Sequence, residues 1–480
     1  MSHVERPSPA EGDAPGPALT ADDLVRVTRG RLIRRSARPI RGGAVDSRVV
    51  RPGQLFVALQ GERTDGHRFL DAAAERGAAA LLVTRPPADP DALGDITIVH
   101  VDDALRALHD VAAEWRTRFD PLVVGITGSI AKTSTKEAVA GVLGERYRTL
   151  KNEGNQNNEI GLPLTVLALG EEHEAAVLEM GMYVGGEIRQ LAAIGRPKIG
   201  IVTAVQPVHL SRIGTIEAVE QAKGELVEAL PGDGTAILNA DDARVRRMAA
   251  RTVATPMTYG FAADADVRGR DVASRGVRGM TFTLVTPAGT RPVAIPGLGR
   301  LAVHNALAAA AAGVSAGIDL DRIVTGLARG WSAPNRGVLH EVAGVTIVDD
   351  SYNASPASVR AALDLLAGLE GRRIAVLGTM LELGDGHDEG HRAVGAAAAD
   401  VADLLVVVGD EAAGIVGGAR AAGLPRDSIV PVADRDTALA ALRSRLRSGD
   451  VVLVKASRGV ALDLLVDDLR AELAAAPATR

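Results

Sequence analysis

Short β-branched runs alternate with Ala- and Leu-rich stretches of helical period along most of the chain. That alternation is the pattern of α/β units around largely parallel sheets. Three blocks follow from it. The first, residues 21–118, holds the apolar run Gly53–Leu59 and ends with a helix near Leu105–Arg118. The second, residues 119–335, opens with a strand over Leu122–Thr127, a turn of small residues and a helix over Lys132–Leu143. Further strands are predicted near Ala175–Glu179, Ile199–Ala204 and Ala236–Leu238, and the alternating segment Met280–Ile295 reads as a β-hairpin. The third block, residues 336–480, predicts strands at Val345–Asp349, Ile374–Gly378, Leu404–Val408 and Val451–Lys455, with helices between them starting at Pro356–Leu369. This is a doubly wound sheet in its own right. Neither a solenoid-period repeat nor a coiled-coil heptad is present.

Length and composition narrow the class. A chain of 480 residues exceeds one compact core and implies two to four domains. The net charge of −6 provides no general attraction to nucleic acid or an anionic membrane, so a polyanionic ligand needs a local constellation. The absence of cysteine excludes disulfides, thiolate metal sites and a cysteine nucleophile. Residues 1–20, with Pro7, Pro9, Pro15 and Pro17 among acidic residues, read as a disordered tail rather than a signal peptide. The Ala-rich run after Asn305 is too short and too weakly hydrophobic to span a bilayer. The expectation is a soluble, cytoplasmic protein without membrane insertion.

The segment Gly125-Ile126-Thr127-Gly128-Ser129-Ile130-Ala131-Lys132-Thr133-Ser134-Thr135-Lys136 carries the first candidate chemistry. A strand entering a small-residue turn and then a helix aims backbone N–H groups at phosphates. Lys132 would neutralise the β- and γ-phosphates, and the Thr133 hydroxyl could ligate Mg²⁺. The strict G-x-x-x-x-G-K-[ST] pattern is not met, because Ile126 and Ala131 hold the glycine positions. An ordinary strand–turn–helix with a capping hydroxyl is equally compatible with these residues. Glu179 and His209 follow predicted strands and fall where open α/β sheets bind ligands, which suits a Mg²⁺ site. Lys223 lies on the apolar stripe of Ile216, Val219, Leu226, Val227 and Leu230. Either it snorkels to solvent or it is a desolvated amine placed for chemistry.

Longer motifs then carry a resemblance. They are Asp46-Ser47-Arg48, the Pro52–His67 segment, Lys151-Asn152-Glu153-Gly154-Asn155-Gln156-Asn157-Asn158-Glu159-Ile160-Gly161, Asp349-Asp350-Ser351-Tyr352-Asn353-Ala354-Ser355-Pro356, Met380-Leu381-Glu382-Leu383-Gly384 and Lys455-Ala456-Ser457-Arg458-Gly459. Over residues 40–460 the chain resembles the Mur ligase family, most closely its MurF branch. The resemblance implies an α/β protein of three domains: an N-terminal UDP-sugar-binding domain, a central P-loop ATPase-like domain and a C-terminal Rossmann-like domain. It also implies an ATP-dependent amide ligase of peptidoglycan precursor synthesis, joining D-Ala-D-Ala to a UDP-MurNAc-tripeptide through an acyl phosphate, and working as a monomer on small molecules.

The resemblance assigns roles. Lys132, His209, Lys223 and Arg336 would carry catalysis. Gly128, Ser129, Ala131, Lys132, Thr133 and Ser134 would cradle the ATP phosphates, with Asn305 on adenine, Arg336 on the phosphates and Asp350 on ribose. Thr133, Glu179, His209 and a carbamylated Lys223 would serve two Mg²⁺ sites. Ser47 and Arg48 would lie near UDP, and Asn155, Asn157 and Asn158 near the muramyl-peptide; Tyr352, Asn353, Ser457 and Arg458 complete the substrate set. Three positions depart from the family's habit: Ala131 replaces a glycine, Ile130 a smaller or polar residue, and Leu301 a histidine. If Ala131 sits at positive φ, a cost in nucleotide affinity is expected. Two alternatives follow: a ligase for another carboxylate and amine, or a nucleotide-impaired homologue that binds UDP-muramyl-peptides.

Overall fold

A computed structural model describes residues 16–61, 64–207 and 210–475. The described residues pack into two compact units, one of residues 16–121, 159–174 and 193–195, the other of the remaining described residues. In the first, strands β1 (Arg31–Arg34), β2 (Gly43–Ala44), β3 (Leu55–Val57), β4 (Ala80–Val83) and β5 (Thr97–His100) form a sheet in the order β1-β5-β4-β3-β2. β1 runs antiparallel to its neighbour and the rest are parallel. The apolar run at 53–59 yields only three strand residues. Gly53 turns at φ +86, and Leu59 folds its amide back to the Val57 carbonyl.

Two sequence boundaries shift here. The predicted tail is structured from residue 16: Leu19 is buried and bridges Ile40, and Thr20 closes a capping box on the helix Ala21–Thr28. Residues 1–15 lie outside the described residues. Residues 159–174, assigned by sequence to the second block, pack with the first unit. There the Trp115 indole donates to the Leu169 carbonyl at 3.1 Å and His109 bonds the Glu159 carbonyl.

The second unit holds two sheets. The larger takes β6 (Leu122–Thr127), β7 (Thr149–Lys151), β8 (Ala175–Glu179), β9 (Ile199–Val202), β10 (Thr235–Asn239), β11 (Thr255–Gly260), β12 (Val267–Ser274), β13 (Met280–Thr286) and β14 (Gly289–Ile295). Their order is β14-β13-β12-β11-β10-β9-β6-β8-β7. The strands from β7 to β12 are mutually parallel, and the Met280–Ile295 hairpin extends them antiparallel. β6 has β8 on one side and β9 on the other, so the chain reverses its direction of growth there. Ligands bind at such a switch point, beyond the strands' C-terminal ends. The Ala-rich segment becomes the core helix Gly299–Ser315, whose small side chains let it lie close against the sheet.

The smaller sheet takes β15 (Val338–Val342), β16 (Val345–Asp349), β17 (Arg372–Gly378), β18 (Leu404–Val408), β19 (Ile429–Val432) and β20 (Asp450–Lys455), in the order β15-β16-β20-β17-β18-β19. All pairs are parallel except β15 with β16. Helices cover both faces, with Leu405 and Val407 packed on one side and Leu404, Val406 and Val408 on the other. That two-sided burial explains the continuous apolar run of β18. Among the described residues no helix is long and apolar enough to cross a membrane.

Candidate functional site

The turn after β6 is held by the neighbouring strand's exit. Thr203, just past β9, donates its Oγ1 to the Ile130 carbonyl at 2.7 Å. The Ser129 amide donates to the Ala204 carbonyl at 2.8 Å, and its Oγ exchanges hydrogen bonds with the Gln206 backbone at 3.0 and 2.8 Å. Gly128 sits at φ +151, and a Cβ there would fall 1.8 Å from Thr203 Oγ1. Ala131 caps the helix Lys132–Leu143 at φ 64, ψ 3, a left-handed conformation that costs alanine about 1–2 kcal/mol. Lys132 curls back so that Nζ donates to the Gly128 carbonyl at 2.7 Å, and Ser134 is half-buried on the first turn. Burial lowers the Lys132 pKa against the pull of Glu179, and the Arg336 charge lowers it further.

Hydrogen bonds from Thr203 and Ser129 hold the turn on either side, so the strain at Ala131 is a cost of folding it. Ala131→Gly is therefore expected to leave the KM for ATP within about twofold. The relief of about 1–2 kcal/mol is offset by about 0.4–1 kcal/mol from glycine's freer unfolded state, so the thermal midpoint should not fall. Steady-state kinetics and calorimetric melting check both.

Across the switch point, β8 delivers Glu179. The side chain is buried, its Oε1 accepts from Asn157 Nδ2 at 2.6 Å, and its backbone amide donates to Asn152 Oδ1 at 2.6 Å. Glu179 Oε2 and Thr133 Oγ1 are buried with no hydrogen-bond partner among the described residues. Orphaned buried oxygens are costly unless something fills their coordination. A carboxylate and a hydroxyl oxygen suit a hard divalent cation. Lys223, on the helix Ile216–Glu228 between buried Val219 and Leu226, is 2% exposed. Snorkelling is thus excluded, and burial, with Lys132 adding repulsion, pushes its pKa well below the ordinary value. His209 lies outside the described residues.

In the second turn of the helix Gly299–Ser315, Asn305 is buried and its Oδ1 accepts from Thr135 Oγ1 at 3.2 Å, which ties it to the turn's own helix. Leu301 lies half-buried one turn earlier. The motifs of the smaller sheet converge at the C-terminal ends of adjacent β16 and β20. Lys455 Nζ bonds Asp350 Oδ2 at 2.6 Å and the Asn353 carbonyl at 2.9 Å, and buried Ser457 accepts from the Leu381 amide. The Arg336 guanidinium stacks 4.0 Å from the Tyr352 ring, with Arg458 at 5.1 Å.

Family models match three stretches: "Mur ligase family, catalytic domain" at residues 39–116, "Mur ligase middle domain" at 126–313 and "Mur ligase, glutamate ligase domain" at 337–458. The UDP-N-acetylmuramoyl-tripeptide–D-alanyl-D-alanine ligase of Bacillus subtilis is 38% identical over 434 residues, covering 90% of this chain and 93% of that protein. This chain belongs to the Mur ligase family. The Escherichia coli ligase of the same name is 37% identical over 88% of this chain and 92% of its own length. Among solved structures, MurF from Acinetobacter baumannii superposes with a TM-score of 0.86 at 29% identity, covering 95% of this chain and all of that one. MurF of Thermotoga maritima in complex with ADP gives 0.79 at 30% identity, covering 90% and 98%. Membership makes the chain an enzyme of the ligase class.

Within this Mur ligase, the predicted substrate residues belong to different parts of the chain's fold. Ser47 and Arg48 belong to the first compact unit. Ser47 is buried, whereas Arg48 is exposed and pairs with Asp46 at 2.6 Å, holding that carboxyl down to about 2. Asn155 is exposed at a loop tip, while Asn157, expected near the peptide, is bonded to Glu179. Sequence reasoning missed His304, whose Nε2 lies 3.1 Å from Asn239 Oδ1 and 3.3 Å from Asp241 Oδ2, between the Tyr259 and Phe261 rings. The only local signal was its place beside Asn305.

Proposed function

We propose that this Mur ligase joins D-alanyl-D-alanine to a UDP-N-acetylmuramoyl-tripeptide, driven by ATP through an acyl phosphate. The observation that carries the reading is the pair of orphaned oxygens, Thr133 Oγ1 and Glu179 Oε2, beside Lys132 at the switch point. The near-full-length likeness to ligases of that name supports the substrates. The turn at Gly128–Thr133 cradles the phosphates, Lys132 releases the Gly128 carbonyl to meet them, and Arg336 leaves the Tyr352 face for the same charge. Asn305 faces adenine and Asp350 the ribose.

Thr133, Glu179, His209 and Lys223 would hold Mg²⁺, which supplies charge neutralisation for phosphoryl transfer. Lys223 would serve this as a carbamate: its neutral Nζ attacks the CO₂ carbon, a C–N bond forms as one C=O π pair moves onto oxygen, and one N–H proton leaves. A buried amine thereby becomes an oxygen ligand. Ser47 and Arg48 hold the UDP moiety, and Asn155, Asn158, Tyr352, Asn353, Ser457 and Arg458 the peptide partners. Phosphate release from ATP is expected to require both the UDP-linked tripeptide and the dipeptide. Release with neither present, or none with both, would overturn the assignment.

A further inference from the structure

Lys136 lies one turn beyond Lys132 on the same helix, yet it is 0% exposed. Its Nζ donates to the Asn152 carbonyl at 2.7 Å and the Gly154 carbonyl at 3.0 Å, and Glu137 Oε1 lies at 3.2 Å. Glu137 also pairs with Lys151, at the start of the same loop. A buried ammonium with three N–H groups is thus directed almost wholly at a loop whose residues 153–156 are exposed. Gly154 stands at φ +53 with open space around its Cβ position.

The loop in turn holds Glu179 from two sides. Asn152 Oδ1 accepts from the Glu179 amide and Asn152 Nδ2 donates to the Gln156 carbonyl at 2.6 Å, closing the loop on itself. Asn157 Nδ2 donates to Glu179 Oε1, and the Asn157 carbonyl accepts from the Gly181 amide at 2.8 Å just past the strand. Oε2, without a hydrogen-bond partner among the described residues, takes its direction from these bonds. We propose that Lys136 is a positioning residue: it couples the nucleotide-binding helix to the Glu179 carboxylate through the Asn152–Asn157 loop, and so sets divalent-cation affinity. The proposal rests on Glu179 being a metal ligand. Lysine suits the position because methionine would leave two carbonyls without a donor, whereas glutamine keeps amide N–H groups to offer them.

The test uses the full chain with Lys136→Met, Lys136→Gln, Asn157→Ala and Glu179→Gln. Three measurements are made: hydrogen–deuterium exchange of residues 151–158, Mn²⁺ binding with ADP by paramagnetic resonance, and ADP binding in EDTA by calorimetry. In Lys136→Met the loop amides should exchange at least tenfold faster and the Mn²⁺ Kd should rise at least tenfold. ADP affinity in EDTA should stay within twofold, which a general loss of structure would not allow. Lys136→Gln should fall between wild type and Lys136→Met, and it decides the question alone if Lys136→Met does not fold. Asn157→Ala should raise the Mn²⁺ Kd with little change in loop exchange. A folded Lys136 variant with wild-type Mn²⁺ affinity overturns the coupling while leaving the metal site intact. Wild-type Mn²⁺ affinity in Glu179→Gln overturns the metal site itself, and the coupling with it.

Discussion

Lys223→Ala is expected to lower the ligation rate by about 100- to 1,000-fold, with partial recovery in acetate or formate. Loss of a charge-bearing group that acts on the transferred phosphoryl is worth about 3–4 kcal/mol, and each 1.36 kcal/mol is tenfold in rate. The short acids recover activity because the cavity left by the side chain admits a carboxylate where the carbamate would stand. The direction of the Lys223 shift sets a pH dependence. Its folded-state pKa lies well below lysine's ordinary 10.5. Between those two values the unfolded chain binds the extra proton, so this residue's contribution to stability rises with pH through that window. Below the folded value the native state bears the whole desolvation penalty of a buried ammonium. Carbamylation needs the neutral amine, so enzyme depleted of CO₂ should regain activity on addition of bicarbonate, and faster as pH rises. Activity rates of depleted and replenished enzyme across pH decide it; an unimpaired Lys223→Ala enzyme excludes the carbamate.

The second large effect belongs to Gly128. An alanine methyl there would stand 1.8 Å from Thr203 Oγ1 and 3.0 Å from the Ala204 amide, and φ is +151. Thr203 cannot simply rotate away, because its hydroxyl bonds the Ile130 carbonyl inside the turn. The turn must deform, and the amides and the Lys132 position deform with it. Gly128→Ala is expected to reduce kcat/KM for ATP by about 100-fold or more, which corresponds to about 3 kcal/mol. ADP affinity measured by calorimetry on folded protein checks it, and binding within twofold of wild type would refute it. The contrast with the mild outcome expected for Ala131→Gly is informative. Two small residues three positions apart occupy unusual backbone regions, but only one is packed against a fixed neighbour.

How legible all this was depends on the range of the interactions. β6, the turn and the helix Lys132–Leu143 were readable residue by residue, because strand patterning and the switch to helical period are local. The same holds for β8, β18 and the Met280–Ile295 hairpin. β15 escaped, since Val338–Val342 is a half-exposed edge strand with His340 and Glu341 in its middle and no apolar run. The residues worth suspecting were also visible: an amine on an apolar stripe and a carboxylate at a strand's end are anomalies wherever they occur.

The sequence alone determined the α/β class, the strand–turn–helix at residues 122–143 with its lysine and hydroxyl, and the anomaly of Lys223 on an apolar stripe. These follow from periods of two and 3.6 residues and from what apolar stripes must bury. Only the tertiary structure decided the rest. It placed residues 159–174 with the first unit and His304 beside Asp241. It set Ala131 in the left-handed region, and it turned Asn157 and the Lys136-anchored loop toward Glu179. Each of these depends on groups tens of residues apart meeting within 3 Å or so, and side-chain periodicity carries no record of which distant partner a strand's end will face.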